Sequence, residues 1–154
     1  MTALGNDADA VLAAVLDRLI PSDVHGPGAL ETGVPRYIEG ALERAGGSAL
    51  ERWAAGLGAF GALARERAGE GFTALAPEAQ DRLIELVAES GEPGLEAHAA
   101  FFAELWQHAL EGMFCDPSWG GNVGGAGWSL LGYPGPRHVW SERDQRIAER
   151  PGAA

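Results

Sequence analysis

Apolar side chains recur at three- and four-residue steps along most of this chain, and the recurrence breaks at Gly and Pro. Residues 8–20 carry Leu12, Val15, Leu16, Leu19 and Ile20 on one helical face, with Asn6 or Asp7 placed to cap the start and Pro21 to end it. Segment 21–34 is turn-rich, with at most a short helical piece at 28–32. Pro35 suits the first turn of a helix carrying Tyr37, Ile38, Ala41 and Leu42, stopped by Gly46-Gly47. Ser48 and Glu51 form a capping-box pattern that opens a third helix, burying Leu50, Trp53, Ala54, Leu57, Phe60 and Ala64. Gly56, Gly58 and Gly61 weaken that helix by up to about 1 kcal/mol each relative to Ala, and in return admit a close neighbour. A fourth helix starts near Pro77, packs Leu83, Ile84 and Val87, and closes at Gly91. The fifth and longest spans roughly 94–112; its seam is Leu95, His98, Phe102, Leu105 and Ala109, widened by Phe101 and Trp106.

No period-2 alternation and no internal repeat interrupts this pattern. The expected fold class is all-α: an irregular bundle of about five helices with a long Gly/Trp-rich carboxy-terminal loop. The chain reads as a single domain over 1–154, with the bundle in 7–112, an ordered loop in 113–140 and a polar tail in 141–154. The tail has a plausible short helix start at Ser141–Asp144.

The loop is the anomaly. Met113 to Trp140 holds too much Gly and Pro for a long helix or a regular strand, yet it carries Phe114, Trp119, Trp128, Tyr133 and Trp140. Its only charges are Asp116 and Arg137. Disordered linkers have the reverse composition, polar and poor in aromatics. Long loops without secondary structure of their own are usually functional when they are not linkers. This one needs a surface for its aromatics, supplied partly by its own helices and partly by another protein.

Charge narrows the class of partner. The net charge is −11 and every basic residue is Arg, with no Lys in the chain. An acidic chain without a basic patch is a poor candidate for nucleic acid or anionic lipid. No run of about 18 apolar residues exists, so no direct membrane insertion is expected. With no basic leader ahead of the Ala10–Ile20 apolar run, the expected location is cytoplasmic.

The search for chemistry returns little. His98 and His108 lie ten residues apart, about 80° around an ideal helix, which is not the i, i+4 spacing of paired metal ligands. His25 sits in the turn-rich connection and His138 in the loop, with no nucleophile paired to either. Cys115 follows a helix C-terminus and precedes Asp116; both raise a thiol pKa, so it reads as a packed thiol, with a bond to a partner's cysteine left open. The glycine string at 120–127 follows no strand, and no G-K-[ST] exists, so its use is backbone freedom and close approach. Clustered aromatics with few charges are what the buried centre of an interface uses. Trp119, Asn122, Trp128 and Tyr133 are accordingly candidate loop anchors or partner contacts. The alternatives are a small stand-alone enzyme with a loop-built site around His138 and Asp116, and a metal-binding module using His25, His98 and His138.

The run Phe114-Cys115-Asp116-Pro117-Ser118-Trp119-Gly120-Gly121-Asn122, with Gly127-Trp128 and Leu131-Gly132-Tyr133-Pro134-Gly135-Pro136, resembles the gluconate 2-dehydrogenase subunit 3 family. Leu19-Ile20-Pro21, Gly28-Ala29 and Gly33-Val34 are similar to that family's opening motif, so the resemblance runs from about residue 8 to 140. It implies a non-catalytic small (gamma) subunit that binds and stabilises the catalytic subunit of a sugar or glycoside dehydrogenase. That large subunit is of the glucose–methanol–choline (GMC) type and holds the FAD; this chain holds no cofactor and no metal of its own. A cytochrome or another acceptor takes the electrons onward. Family members commonly begin with a twin-arginine signal, and none is seen here. On this resemblance, partner binding is expected at Phe114, Asp116, Trp119, Gly121, Asn122, Trp128, Tyr133 and Trp140.

Overall fold

A computed structural model describes residues 4–89 and 91–136. Among these residues there are six α-helices and no strand: α1 (Asn6–Leu19), α2 (Val34–Ala45), α3 (Gly47–Ala68), α4 (Pro77–Glu89), α5 (Glu96–Phe114) and the short α6 (Ala126–Leu130). The all-α expectation therefore holds. None of these helices is long and apolar enough to cross a membrane.

The periodicities place the core. Leu12, Val15 and Leu16 of α1, Ile38 and Leu42 of α2, Trp53, Leu57 and Phe60 of α3, and Leu83, Ile84 and Val87 of α4 are all buried in one cluster. α5 runs through the middle, packing against α2, α3 and α4, while α1 covers α3 and α4. Trp53 is the largest fully buried side chain, with edge contacts to Phe101 at 5.4 Å and His108 at 5.1 Å between centroids. Its indole Nε1 donates to Glu104 Oε1 at 2.8 Å, and Arg52 donates to the same oxygen at 2.8 Å. Burial alone pushes the Glu104 carboxyl up, but these two hydrogen bonds outweigh it and hold it below the ordinary Glu range. Arg18 ties α1 to α4 through two parallel hydrogen bonds to Asp81, each 2.7 Å.

Several ends differ from expectation, for local reasons. The capping box does not form. Gly46, at φ 101°, turns the chain so sharply that α3 begins at Gly47 and takes Ser48 into its first turn. Gly46 alone thus separates α2 from α3. α1 likewise starts from Gly5, with no side-chain cap from Asn6 or Asp7. Segment 28–32 forms turns rather than a helical piece, closed by Thr32 N–H to Gly28 O at 3.0 Å. α5 is shifted by two residues at each end, so Met113 and Phe114 are helical and the loop starts at Cys115. Its buried face is Leu105, Ala109, Gly112 and Met113, while Trp106 is exposed. The Ser141–Asp144 start lies outside the described residues.

Gly56 is the α3 glycine that admits a close neighbour: a Cβ there would stand 2.5 Å from the Phe101 ring. At Gly58 a Cβ would meet nothing within 4 Å. Gly56→Ala is therefore expected to destabilise the fold by about 1–3 kcal/mol through overpacking. Gly58→Ala should instead stabilise it by up to about 1 kcal/mol. Urea midpoints of the two variants test the pair. A depressed Glu104 pKa adds stability that is present above the unfolded Glu value and is lost as pH falls through the folded one. Wild type should lose stability relative to Glu104→Gln between about pH 5 and pH 3, read from melting temperatures across that range.

Candidate docking site

The last four carbonyls of an α-helix have no partner within the helix. At the end of α5 the following residues supply partners for three of them. Cys115 N–H returns to Glu111 O at 2.8 Å, Asn122 N–H donates to Gly112 O at 2.9 Å, and Trp128 Nε1 donates to Phe114 O at 2.8 Å. The Asn122 side chain spans the loop: Nδ2 donates to Cys115 O at 2.7 Å, and Oδ1 accepts from Gly127 N–H at 2.8 Å. Asn122 is 0 % exposed and has φ 46°, the left-handed region that Asn tolerates better than most residues.

Two glycines make this approach feasible. A Cβ on Gly121 would collide with Gly112 O, and one on Gly127 with Met113 O. The chain makes one 3-10 turn before them, at Pro117–Trp119, and one between them, at Val123–Gly125, where it enters α6. Trp128, on α6, meets Tyr133 edge-on at 5.4 Å, and Gly135 closes over the same indole.

The connection between α1 and α2 joins the same structure. Val123 N–H donates to Thr32 O at 3.0 Å, and the buried Thr32 hydroxyl lies 3.3 Å from Met113 Sδ while donating to Gly28 O at 2.9 Å. A Cβ on Gly33 would stand 2.7 Å from Gly120 O, and one on Gly26 would stand 2.8 Å from a Leu130 methyl. His25, Pro27, Ala126, Ser129 and Leu130 line an open groove of about 600 Å³ along this seam.

The candidates separate by role. Asn122, Gly121 and Trp128 are loop anchors, with Asn122 and Gly121 buried. Phe114 is half-buried against the core. Asp116 Oδ1 accepts from Ser118 N–H at 2.9 Å, and that backbone hydrogen bond holds its carboxyl below the ordinary range. Trp119 is 54 % exposed, with the Arg44 guanidinium 4.8 Å from its ring centroid, and Tyr133 is also exposed. Trp140 and His138 lie outside the described residues. Burial pushes the Cys115 thiol up, only partly countered by backbone N–H groups of Gly121 and of its own residue. Among the described residues no three His, Cys, Asp or Glu side chains gather where a metal ion would sit. Thr32, Val123, Leu130 and Leu131 were not among the candidates. For the leucines a signal existed: two adjacent apolar residues in a segment with no helical periodicity to bury them.

The family model described as Gluconate 2-dehydrogenase subunit 3 matches residues 6–135, and so takes in both connections and all of α1 to α6. No curated protein and no solved structure matches the chain.

Asn122→Ala removes both side-chain hydrogen bonds from a buried site and leaves a Cβ residue at positive φ. The expected loss is about 2–4 kcal/mol. Asn122→Gly loses the same hydrogen bonds without the strain, so it should recover about 1 kcal/mol of that. Urea unfolding of the two variants measures the difference; equal losses would mean the left-handed backbone carries no cost.

Proposed function

This chain belongs to the gluconate 2-dehydrogenase subunit 3 family, and on that premise we propose that it is the non-catalytic small subunit of an FAD-dependent sugar or glycoside dehydrogenase. It binds and stabilises the catalytic subunit, a flavoprotein of the GMC type, which oxidises the sugar and passes electrons to a cytochrome or another acceptor.

One observation carries this reading beyond family membership. Several hydrogen-bonding side chains of the loop are spent on nearby backbone: Asn122 on Cys115 and Gly127, Asp116 on Ser118, Ser129 on Gly125, and Trp128 on Phe114 at the end of α5. The large apolar side chains the loop turns outward are Trp119, Val123, Leu130, Leu131 and Tyr133, beside the exposed polar residues Asp116, Ser118 and Ser129. A rigid frame that presents these apolar groups suits docking, since little conformational freedom is lost when it binds. The Cys115 thiol, held protonated at neutral pH, suits a packed role rather than a nucleophile's.

Co-expression tests the proposal. With the flavoprotein large subunit of the same organism, the two chains should co-purify, and the flavoprotein should melt several degrees higher with this chain than without it. Dye-linked sugar oxidation should follow the flavoprotein and be absent from this chain alone. Failure to co-purify, or sugar oxidation by the isolated chain, would overturn the reading.

A further inference from the structure

Single exposed apolar residues are ordinary on a protein surface; a cluster of them marks a contact site. Nine large apolar side chains are exposed among the described residues, and six of them, Val24, Leu30, Val123, Leu130, Leu131 and Tyr133, stand on segments 21–33 and 121–136. These segments are far apart in sequence but packed side by side. Leu130 lies on Gly26, Val123 lies on Gly33, and a backbone hydrogen bond links Val123 to Thr32. Val24 is 95 % exposed at the tip of the Asp23–Gly26 bend, and Leu131 is 66 % exposed just past α6. Twenty-two of their 29 residues are not buried, within the about 20–30 residues of one side of a standard interface.

The charges on these segments select the occupant. Both are acidic, Asp23 and Glu31, and neither segment holds an Arg or Lys; Arg137, which follows the second, lies outside the described residues. Asp23 is occupied in its bend, accepting from His25 N–H at 2.7 Å, while Glu31 stands exposed beside Leu30 with Ser22 Oγ at 2.9 Å. A second copy docked face to face would bring four carboxylates to one rim with no cation from either segment. The net charge of −11 adds to that repulsion.

We propose that this two-segment face, rather than Trp119 on the α2 side of the loop, is where the large subunit docks, through an apolar centre ringed by Lys and Arg. The assignment rests on the accessory-subunit reading above and goes further by naming the surface and the partner's chemistry. Val24, Leu130 and Leu131 reach into the partner's apolar patch. Glu31 meets its basic rim and steers the encounter.

Binding of the purified chain to the purified flavoprotein large subunit tests it. The double variant Val24→Gln with Leu131→Gln should weaken binding by at least about ten-fold with an unchanged melting temperature. Leu110→Gln, an exposed leucine on α5 off this face, should bind as wild type does. Glu31→Arg should slow association several-fold at low salt, with the difference shrinking as salt rises. If wild type binds and the double variant binds equally well, the face is wrong while the accessory reading stands. If wild type does not bind, both fall. Faster association by Glu31→Arg would overturn the basic rim. A dimer of the isolated chain that Leu131→Gln dissolves would make a second copy the occupant and overturn the proposal.

Discussion

The structure turns on how the C-terminus of α5 is closed. Most helices end in Gly at the left-handed position or by exposing their last carbonyls to water. Here the carbonyls of Glu111, Gly112, Phe114 and Cys115 accept from groups of the following loop, three of them from Asn122 or Trp128. A carbonyl left unpaired in a buried site costs about 1–3 kcal/mol, so the loop is bound to the helix end by the avoided cost of several such groups. The aromatic and glycine content of the loop follows from this closure before any partner is considered. Trp128 is present as a long-range donor, and Gly121 and Gly127 are present because the helix-end backbone occupies the space a Cβ would need.

That closure explains why the two loops form one surface. Asn122 turns the chain so that Val123 N–H reaches Thr32 O, and Thr32 lies over Met113 in the last turn of α5. The connection before α2 and the loop after α5 therefore share a floor, the last turn of α5. Moving either one moves the other. With its floor fixed, the outer side of the two segments exposes Val24, Leu30, Val123, Leu130, Leu131 and Tyr133, which no other described helix covers.

The bundle was legible from the chain because burial imposes a period. Leu12, Val15 and Leu16, or Leu83, Ile84 and Val87, have few alternatives to one face of a helix. Helix ends were less so. Ser48 and Glu51 make a valid capping pattern, but a glycine able to adopt φ 101° two residues earlier offered a sharper turn, and local hydrogen bonding lost to chain reversal. Within the loop, aromatic content announced an ordered segment but not which way each ring faces. Trp128 and Trp119 look alike in sequence, yet one donates into a helix end while the other stands exposed beside Arg44. That difference depends on a backbone turn at Asn122 that neither residue encodes.

Charge completes the logic of the surface. An exposed apolar face is a liability for a protein that spends time unpaired, because the hydrophobic effect does not discriminate between partners. Specificity must then come from what surrounds the face, as a penalty on the wrong occupant as much as a reward for the right one. Supplying only Asp23 and Glu31 on these segments, in a chain of net charge −11, puts that penalty on a second copy of the same chain. In the proposed docking the same carboxylates would attract a basic rim, so one set of charges would both suppress self-association and direct the encounter with a partner. In that docking the apolar centre would supply affinity and the acidic edge choice, while the helix-end closure beneath them holds the two loops in the register that both need.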